Sequence, residues 1–221
     1  MPRLFASMIT YGFMPIPDRE YPPNCIVVWG LNPAETFPHI YDLVRQALDK
    51  GSKLMVIDSR EIGLTHKADL WLRVRPGSDL ALALGMINVI INENLFDEAF
   101  VSRWTVGFDK LQAHVQDYPP RKAEELTWVD AATIRQAARF YAINKPACLE
   151  WGNSLDHNVN SFQTSRALSI LRAITGNLGI PGGELQWSAL PLVERRSPDL
   201  ELWDKMPVAK WQRRVGTEYK L

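Results

Sequence analysis

The chain has 221 residues, 46% of them hydrophobic, enough for one large domain or two small ones with a packed core. Its 25 basic and 25 acidic side chains cancel, so the basic excess that a nucleic-acid or anionic-membrane partner demands is missing. The short pairs Arg195-Arg196 and Arg213-Arg214 read as solvated surface. Cys25 and Cys148 lie inside apolar strand-like runs; they read as reduced, buried hydrophobes and cannot form a CxxC metal site or an iron–sulfur cluster. No charged segment followed by an apolar one marks a signal peptide. The longest apolar run, around Leu80 to Ile91, is too short and interrupted to span a bilayer, so a soluble chain is expected.

Residues 1–24 carry Pro2, Pro15, Pro17, Pro22 and Pro23 without a period and predict an irregular lead-in. Cys25-Ile26-Val27-Val28-Trp29 then runs into Gly30-Leu31-Asn32-Pro33, the pattern of a buried parallel strand that ends in a tight turn. Ile40, Leu43, Val44, Ala47 and Leu48 recur at helical spacing, and Gly51 suits a left-handed C-terminal position. Lys53 to Ile57 is a second strand, ending at Asp58. Strand–helix–strand favours a right-handed crossover and a parallel sheet.

Over 68–74, Leu70, Leu72 and Val74 alternate with polar neighbours or Trp71, which predicts a third strand. The turn Arg75-Pro76-Gly77-Ser78-Asp79 follows, with Ser78 as an N-cap candidate and Asp79 in the first turn of a helix. That helix, Leu80 to about Asn92, is apolar almost all round and should be central. Short amphipathic helices are predicted over 96–104 and 108–115, with a break at Tyr118-Pro119-Pro120. Asp130 should cap a further helix that ends at Asn144-Lys145-Pro146. Ala147 to Gly152 repeats the apolar run and Trp-Gly ending, and a helix from Ser161 to Ile174 follows. The pattern predicts an α/β fold: a Rossmann-like, doubly wound, mainly parallel sheet with helices on both faces. Its expected division is an irregular lead-in over 1–24, a dinucleotide-binding domain over 25–185 and an irregular tail over 186–221.

In such a sheet, ligands bind beyond the carboxyl ends of the strands. Gly30 would let a ligand approach the backbone, and Asn32 offers both donor and acceptor, although Asn-Pro is equally a simple turn pair. Asp58 is placed to accept ribose hydroxyls and Arg60 to meet a phosphate; a surface turn and a solvated arginine are the plainer readings. The amides of a helix beginning after Gly77-Ser78 suit an anion. Asp79 could accept the paired N–H groups of a guanine edge, or serve only as a cap. No GxGxxG, no GxxxxGK[ST] and no GxSxG is present, and His39, His66, His114 and His157 are scattered. No nucleophile, general base or metal site stands out.

The ordered series 29–36, 57–60, 68–83, 90–97 and 175–183 resembles the molybdopterin oxidoreductase family of the dimethyl-sulfoxide-reductase type. That family includes formate dehydrogenases, polysulfide and thiosulfate reductases, and acetylene hydratase. The resemblance covers roughly residues 25–185, and several motifs in one order are more specific than any single one. It implies the central domain of a molybdenum or tungsten enzyme, holding one of two molybdopterin guanine dinucleotide (MGD) cofactors. Carried over by motif, Trp29, Gly30 and Asn32 would lie along the dinucleotide. Asp58, Ser59 and Arg60 would meet its ribose or phosphate part, and Pro76, Gly77 and Asp79 the guanosine end. Gly152, Asn153 and His157 resemble a loop near the metal-side pterin, with Asp156 where the family often has glutamine.

Family members are considerably longer. The cysteine motif for a 4Fe–4S cluster, the protein ligand to the metal and the closing C-terminal barrel are expected outside these residues. The chain alone is therefore expected to be inactive, because each cofactor is buried between domains. Expected partners are the remaining domains of the parent enzyme and an iron–sulfur electron-transfer subunit, with no nucleic acid and no membrane insertion. Cytoplasm and periplasm of a prokaryote both remain open. Two alternatives stand beside this reading: an NAD(P)-binding Rossmann-like dehydrogenase domain, and a non-catalytic truncated scaffold paralogue.

Overall fold

The computed structural model describes residues 2–186, together with Pro207. Residues 1–24 are not an irregular lead-in: they open with helix α1 (Pro2–Tyr11) and strand β1 (Pro15–Pro17). Pro2 sits in the first helical turn, where its missing N–H is no loss. α1 buries only Ala6 and Ser7 and leaves Phe5, Met8 and Ile9 exposed, so no stripe of large residues marks it. It packs on the helix Ser161–Ile174, and β1 pairs antiparallel with Glu184–Gln186. The lead-in thus belongs to the same compact unit as the sheet, Met1–Trp187. The tail expected over 186–221, with its two arginine pairs, lies outside the described residues apart from Gln186 and Pro207.

Strand β2 (Cys25–Trp29) is buried at every position. Helices α2 (Pro33–Thr36) and α3 (Pro38–Asp49) follow, and Gly51, at φ +96°, turns the chain into strand β3 (Lys53–Ile57). Strand β4 is shorter than the 68–74 alternation predicts, only Leu70–Leu72. Its neighbours bond elsewhere: Leu54 N–H donates to the Asp69 carboxylate at 2.8 Å, and Arg75 N–H to Thr127 O at 2.8 Å.

Helix α4 (Asp79–Asn92) has its side chains buried from Ala81 to Ile91, as its all-round apolar composition requires. Helices α5 (Glu98–Trp104) and α6 (Phe108–Val115) lie where amphipathic patterning predicts them, α5 capped by the Asp97 carboxylate. Helix α7 (Pro120–Thr127) stands where the two prolines suggested only a break, because Pro120 begins the helix instead of interrupting it. Asp130 caps α8 (Ala131–Ile143), accepting Thr133 N–H at 2.8 Å. Strand β5 (Ala147–Trp151), helix α9 (Ser161–Ile174) and strand β6 (Glu184–Gln186) complete the unit.

The four main strands are parallel in the order β4-β3-β2-β5. From β2 the chain steps outward through β3 to β4, then returns to place β5 on the other side of β2. One face packs Ile26, Val28, Leu54 and Val56 against Val44 and Ala47 of α3. The other packs Val27, Trp29, Met55, Ile57 and Leu72 against α4, α8 and α9. This is the predicted doubly wound α/β fold, and its strand order reverses between β2 and β5, the point where such sheets open a crevice.

β5 is the last strand on its side, yet its outer edge is closed. Ala147 N–H donates to Asn177 Oδ1 at 2.9 Å and Leu149 N–H to Glu184 Oε1 at 2.8 Å. Arg172 Nη2 donates to Leu149 O at 2.8 Å, and Arg3 Nη1 to Trp151 O at 2.6 Å. Four side chains therefore replace a neighbouring strand and satisfy backbone groups that burial would otherwise penalise. The Arg172–Glu184 pair at the centre has no exposed surface.

Candidate cofactor-binding site

The two Trp-Gly strand ends meet. Trp29 and Trp151 are register partners in β2 and β5. Beyond them Gly152 N–H donates to Trp29 O at 2.9 Å, and Gly30 N–H to Ile57 O at 2.8 Å. Ser154 Oγ donates to Gly30 O at 2.9 Å. The approach is too close for side chains: a Cβ on Gly152 would lie 1.7 Å from Gly30 O, and Gly30 itself has φ +59°. Gly152 is buried by this packing and Gly30 half-buried, so of the two only Gly30 offers surface to a ligand.

Asn32 follows at the start of α2. Its carbonyl accepts the Glu35 and Thr36 N–H groups, but its side chain makes no cap. Its Oδ1 is buried without a hydrogen-bond partner. A buried acceptor left without a donor is unfavourable, and a donor arriving on a ligand would satisfy it. A half-buried glycine and an orphaned acceptor at the switch point offer a bound ligand both close approach to the backbone and a polar contact.

Trp29 does not lie along that surface. It is fully buried, with its ring in the core and its indole Nε1–H donating to Asp79 Oδ1 at 2.8 Å. Its contribution is to hold Asp79, the first residue of α4. Burial pushes the Asp79 carboxyl above the usual carboxylate range and the nearby Asp58 charge adds to this, while the indole hydrogen bond pulls the other way. Asp58, just past β3, is also buried; one of its oxygens accepts Arg60 N–H at 2.9 Å and so shapes its own turn. Ser59 is half-buried and Arg60 exposed.

Pro76 and Gly77 form an exposed turn, with Gly77 at φ +81° in open space. Ser78 is not a side-chain cap. Its hydroxyl donates back to Arg75 O at 2.7 Å, which tightens the turn ahead of α4. This turn lines a cleft together with Leu80, Tyr118, Leu126 and Asn160.

Asn153 and His157 are exposed on the loop after β5. That loop is held by a residue that sequence reasoning overlooked: Arg3 of α1. Arg3 Nε donates to Asp156 Oδ2 at 2.7 Å, and its Nη2 donates to Asn153 Oδ1. No local signal marks Arg3, because its partners are about 150 residues away in sequence. The structure thus brings Asp79 together with Trp29, which bonds it, and with Asp58, whose charge it feels; the Gly30 and Gly152 turns pack on each other, with Asn153 following Gly152. Cys25 and Cys148 are buried free thiols, and burial pushes the Cys25 thiol up to about 12. Among the described residues, no three His, Cys, Asp or Glu side chains gather as a metal site, and no helix is long and apolar enough to cross a membrane.

Comparison with known proteins agrees with this geometry. The family model described as molybdopterin oxidoreductase matches residues 21–202. The chain is 38% identical to acetylene hydratase of Syntrophotalea acetylenica over 217 residues, covering 95% of this chain and 28% of that protein. It is 40% identical to formate dehydrogenase H of Escherichia coli over 158 residues, covering 72% of this chain and 22% of that protein. Among solved structures, acetylene hydratase from Pelobacter acetylenicus superposes with a TM-score of 0.82 at 36% identity, over 98% of this chain and 29% of that one. The chain therefore spans less than a third of the length of the relatives it matches. A doubly wound sheet, an orphaned acceptor at its switch point and a family match across 21–202 lead to one conclusion: the chain belongs to the molybdopterin oxidoreductase family.

Proposed function

We propose that this chain is the dinucleotide-binding wall of a molybdenum or tungsten oxidoreductase and holds one guanine dinucleotide arm of its MGD cofactor. The observation that carries this reading is Asp79: a buried carboxylate at the start of α4, fixed through one oxygen by Trp29. The lone pairs that Trp29 does not use are left for the paired N1–H and N2–H donors of guanine, which adenine does not offer. Gly30 would lie against the backbone of the dinucleotide, and the Asn32 Oδ1 would accept one of its donors. Asp58, Ser59 and Arg60 would meet ribose or phosphate, Pro76 and Gly77 the guanosine end, and Asn153 and His157 the pterin end. When bound, the pterin-held metal supplies the redox or hydration chemistry; the protein supplies placement and electrostatics.

One wall offers only part of the contact area, so the chain by itself is inactive, and the other walls belong to the rest of the parent enzyme. Cluster and metal ligands belong to those segments too, as does any contact with an iron–sulfur subunit. The nicotinamide alternative lacks its glycine-rich phosphate loop.

Isothermal titration of the chain with GDP, against NAD and AMP, tests this reading. GDP should bind in preference to both, and Asp79→Ala should abolish the preference. Clear NAD binding with no response to GDP would overturn it.

A further inference from the structure

Every nitrogen of the Arg3 guanidinium is engaged, one on the last residue of β5 and two on the loop that follows it. Nε donates to Asp156 Oδ2 at 2.7 Å, Nη1 to Trp151 O at 2.6 Å, and Nη2 to Asn153 Oδ1. The Arg3 backbone N–H adds a bond to Asp156 Oδ1 at 3.2 Å. The guanidinium also stands over the Trp151 ring, 5.7 Å from its centroid, while Arg172 stands over the same ring at 3.9 Å. Arg3 and Asp156 are both largely shielded, with 17% and 14% of their side chains exposed, so the pair is not a loose surface contact.

Arginine has five donors and no acceptor. The Asn153 amide must therefore turn its carbonyl oxygen towards Arg3, which leaves its NH2 group directed away from the clamp. Asn153 itself is exposed, so that NH2 is available to a ligand. We infer that Arg3 is a positioning residue that fixes Asn153 as a hydrogen-bond donor, making the loop after β5 selective for an acceptor over a donor on the cofactor. The inference rests on the dinucleotide reading above and deepens it: the group met here is a pterin carbonyl or a phosphate oxygen, never an N–H. Asp156 belongs to the same device. It accepts the Arg3 backbone N–H and Nε–H, and the guanidinium charge offsets its own, so a carboxylate can stand beside an anionic cofactor with less repulsion.

The test uses the whole chain and the side-chain amide signals of Asn153 in 15N NMR. In the native chain these signals should be dispersed. Arg3→Met should move them to the positions of a free amide. Arg3→Lys keeps a positive charge beside Asp156 but loses the fork, so it should cost less thermal stability than Arg3→Met while still releasing Asn153. Native-like Asn153 signals in Arg3→Met or Arg3→Lys would sink the assignment, because the amide would then be held without the guanidinium fork.

Titration with 6-hydroxymethylpterin and, separately, inorganic phosphate should shift the Asn153 amide with one probe. The probe that responds identifies the acceptor, and its affinity should fall roughly two- to tenfold in Arg3→Lys, the scale of one hydrogen bond. No response to either probe overturns the inference. GDP added to the same samples separates the two claims. GDP binding with a silent Asn153 removes only the donor arm, whereas a dispersed and responsive Asn153 without GDP binding removes the dinucleotide reading.

Discussion

Trp29 Nε1 donates to Asp79 Oδ1 at 2.8 Å across 50 residues of sequence, linking the end of the central strand to the start of the central helix. Both side chains are buried, so neither can exchange its partner for bulk water. Trp29→Phe keeps an aromatic ring but deletes the donor, leaving a buried carboxylate oxygen unpaired. Stability should fall by about 1–3 kcal/mol, measured by urea denaturation. GDP affinity should fall with it, since Asp79 loses its fixed orientation. A variant as stable as the native chain would show that the hydrogen bond contributes nothing net.

The raised pKa of the Asp79 carboxyl has a definite sign for folding. A carboxyl that holds its proton more tightly when folded stabilises the chain below its unfolded pKa. That contribution is lost as pH rises through the folded pKa. Asp79→Asn keeps an acceptor for Trp29 and removes the buried charge. It should therefore unfold at higher urea than the native chain at neutral pH, with the difference closing below the ordinary Asp pKa. In the same variant GDP binding should weaken by roughly ten- to a hundredfold, because charged hydrogen bonds to guanine are lost. Equal stability of the two chains at neutral pH would contradict the sign.

Two glycines at the crevice should respond differently to alanine. At Gly152 the new methyl would meet the Gly30 carbonyl oxygen at 1.7 Å and Leu31 Cα at 2.9 Å, both backbone atoms. The two strand-end loops would have to separate, which should cost about 3 kcal/mol or more. At Gly77 the methyl meets open space, and only the left-handed φ of +81° opposes it. Gly77→Ala should cost about 1–2 kcal/mol. Thermal melts of the two variants decide the ranking.

The Arg172–Glu184 pair lies at 0% exposure, with Arg172 Nε 2.8 Å from Glu184 Oε1. Arg172→Met strands a buried carboxylate that also accepts Leu149 N–H, and should destabilise by about 3–5 kcal/mol. Replacing both partners together, Arg172→Met with Glu184→Leu, should be milder than the single change at Arg172, because no uncompensated charge remains. A double variant as unstable as the sum of the singles would mean that the β5 backbone bonds dominate.

Local patterning carried most of the sheet. The apolar runs at 25–29, 53–57 and 147–151 are legible because strands buried on both faces need no alternation. α4 and α9 are legible through composition and spacing, and Asp130 through its capping chemistry. α1 and α7 each begin at a proline, and a proline at a helix start looks in sequence like a proline that ends one; α1 also buries only small residues, so no apolar stripe marks it. Within the site, Asp79 and Gly30 could be named from strand ends and turns. The burial of Trp29 could not, because tryptophan beside glycine reads equally as ligand contact or as core. Arg3 was beyond reach, since its role exists only once α1 packs on α9 and meets a loop from the far end of the chain.

The side-chain closure of β5 sets a schedule for synthesis. Leu149 leaves the ribosome 35 residues before Glu184, its hydrogen-bond partner, so a finished strand emerges ahead of the group that blunts it. Until then the edge of β5 lacks this partner, and an incompletely closed, apolar strand edge is the kind that recruits other nascent chains. Pauses in translation between these two positions should therefore raise aggregation, and a chaperone that shelters this stretch would protect yield without affecting the finished protein's stability.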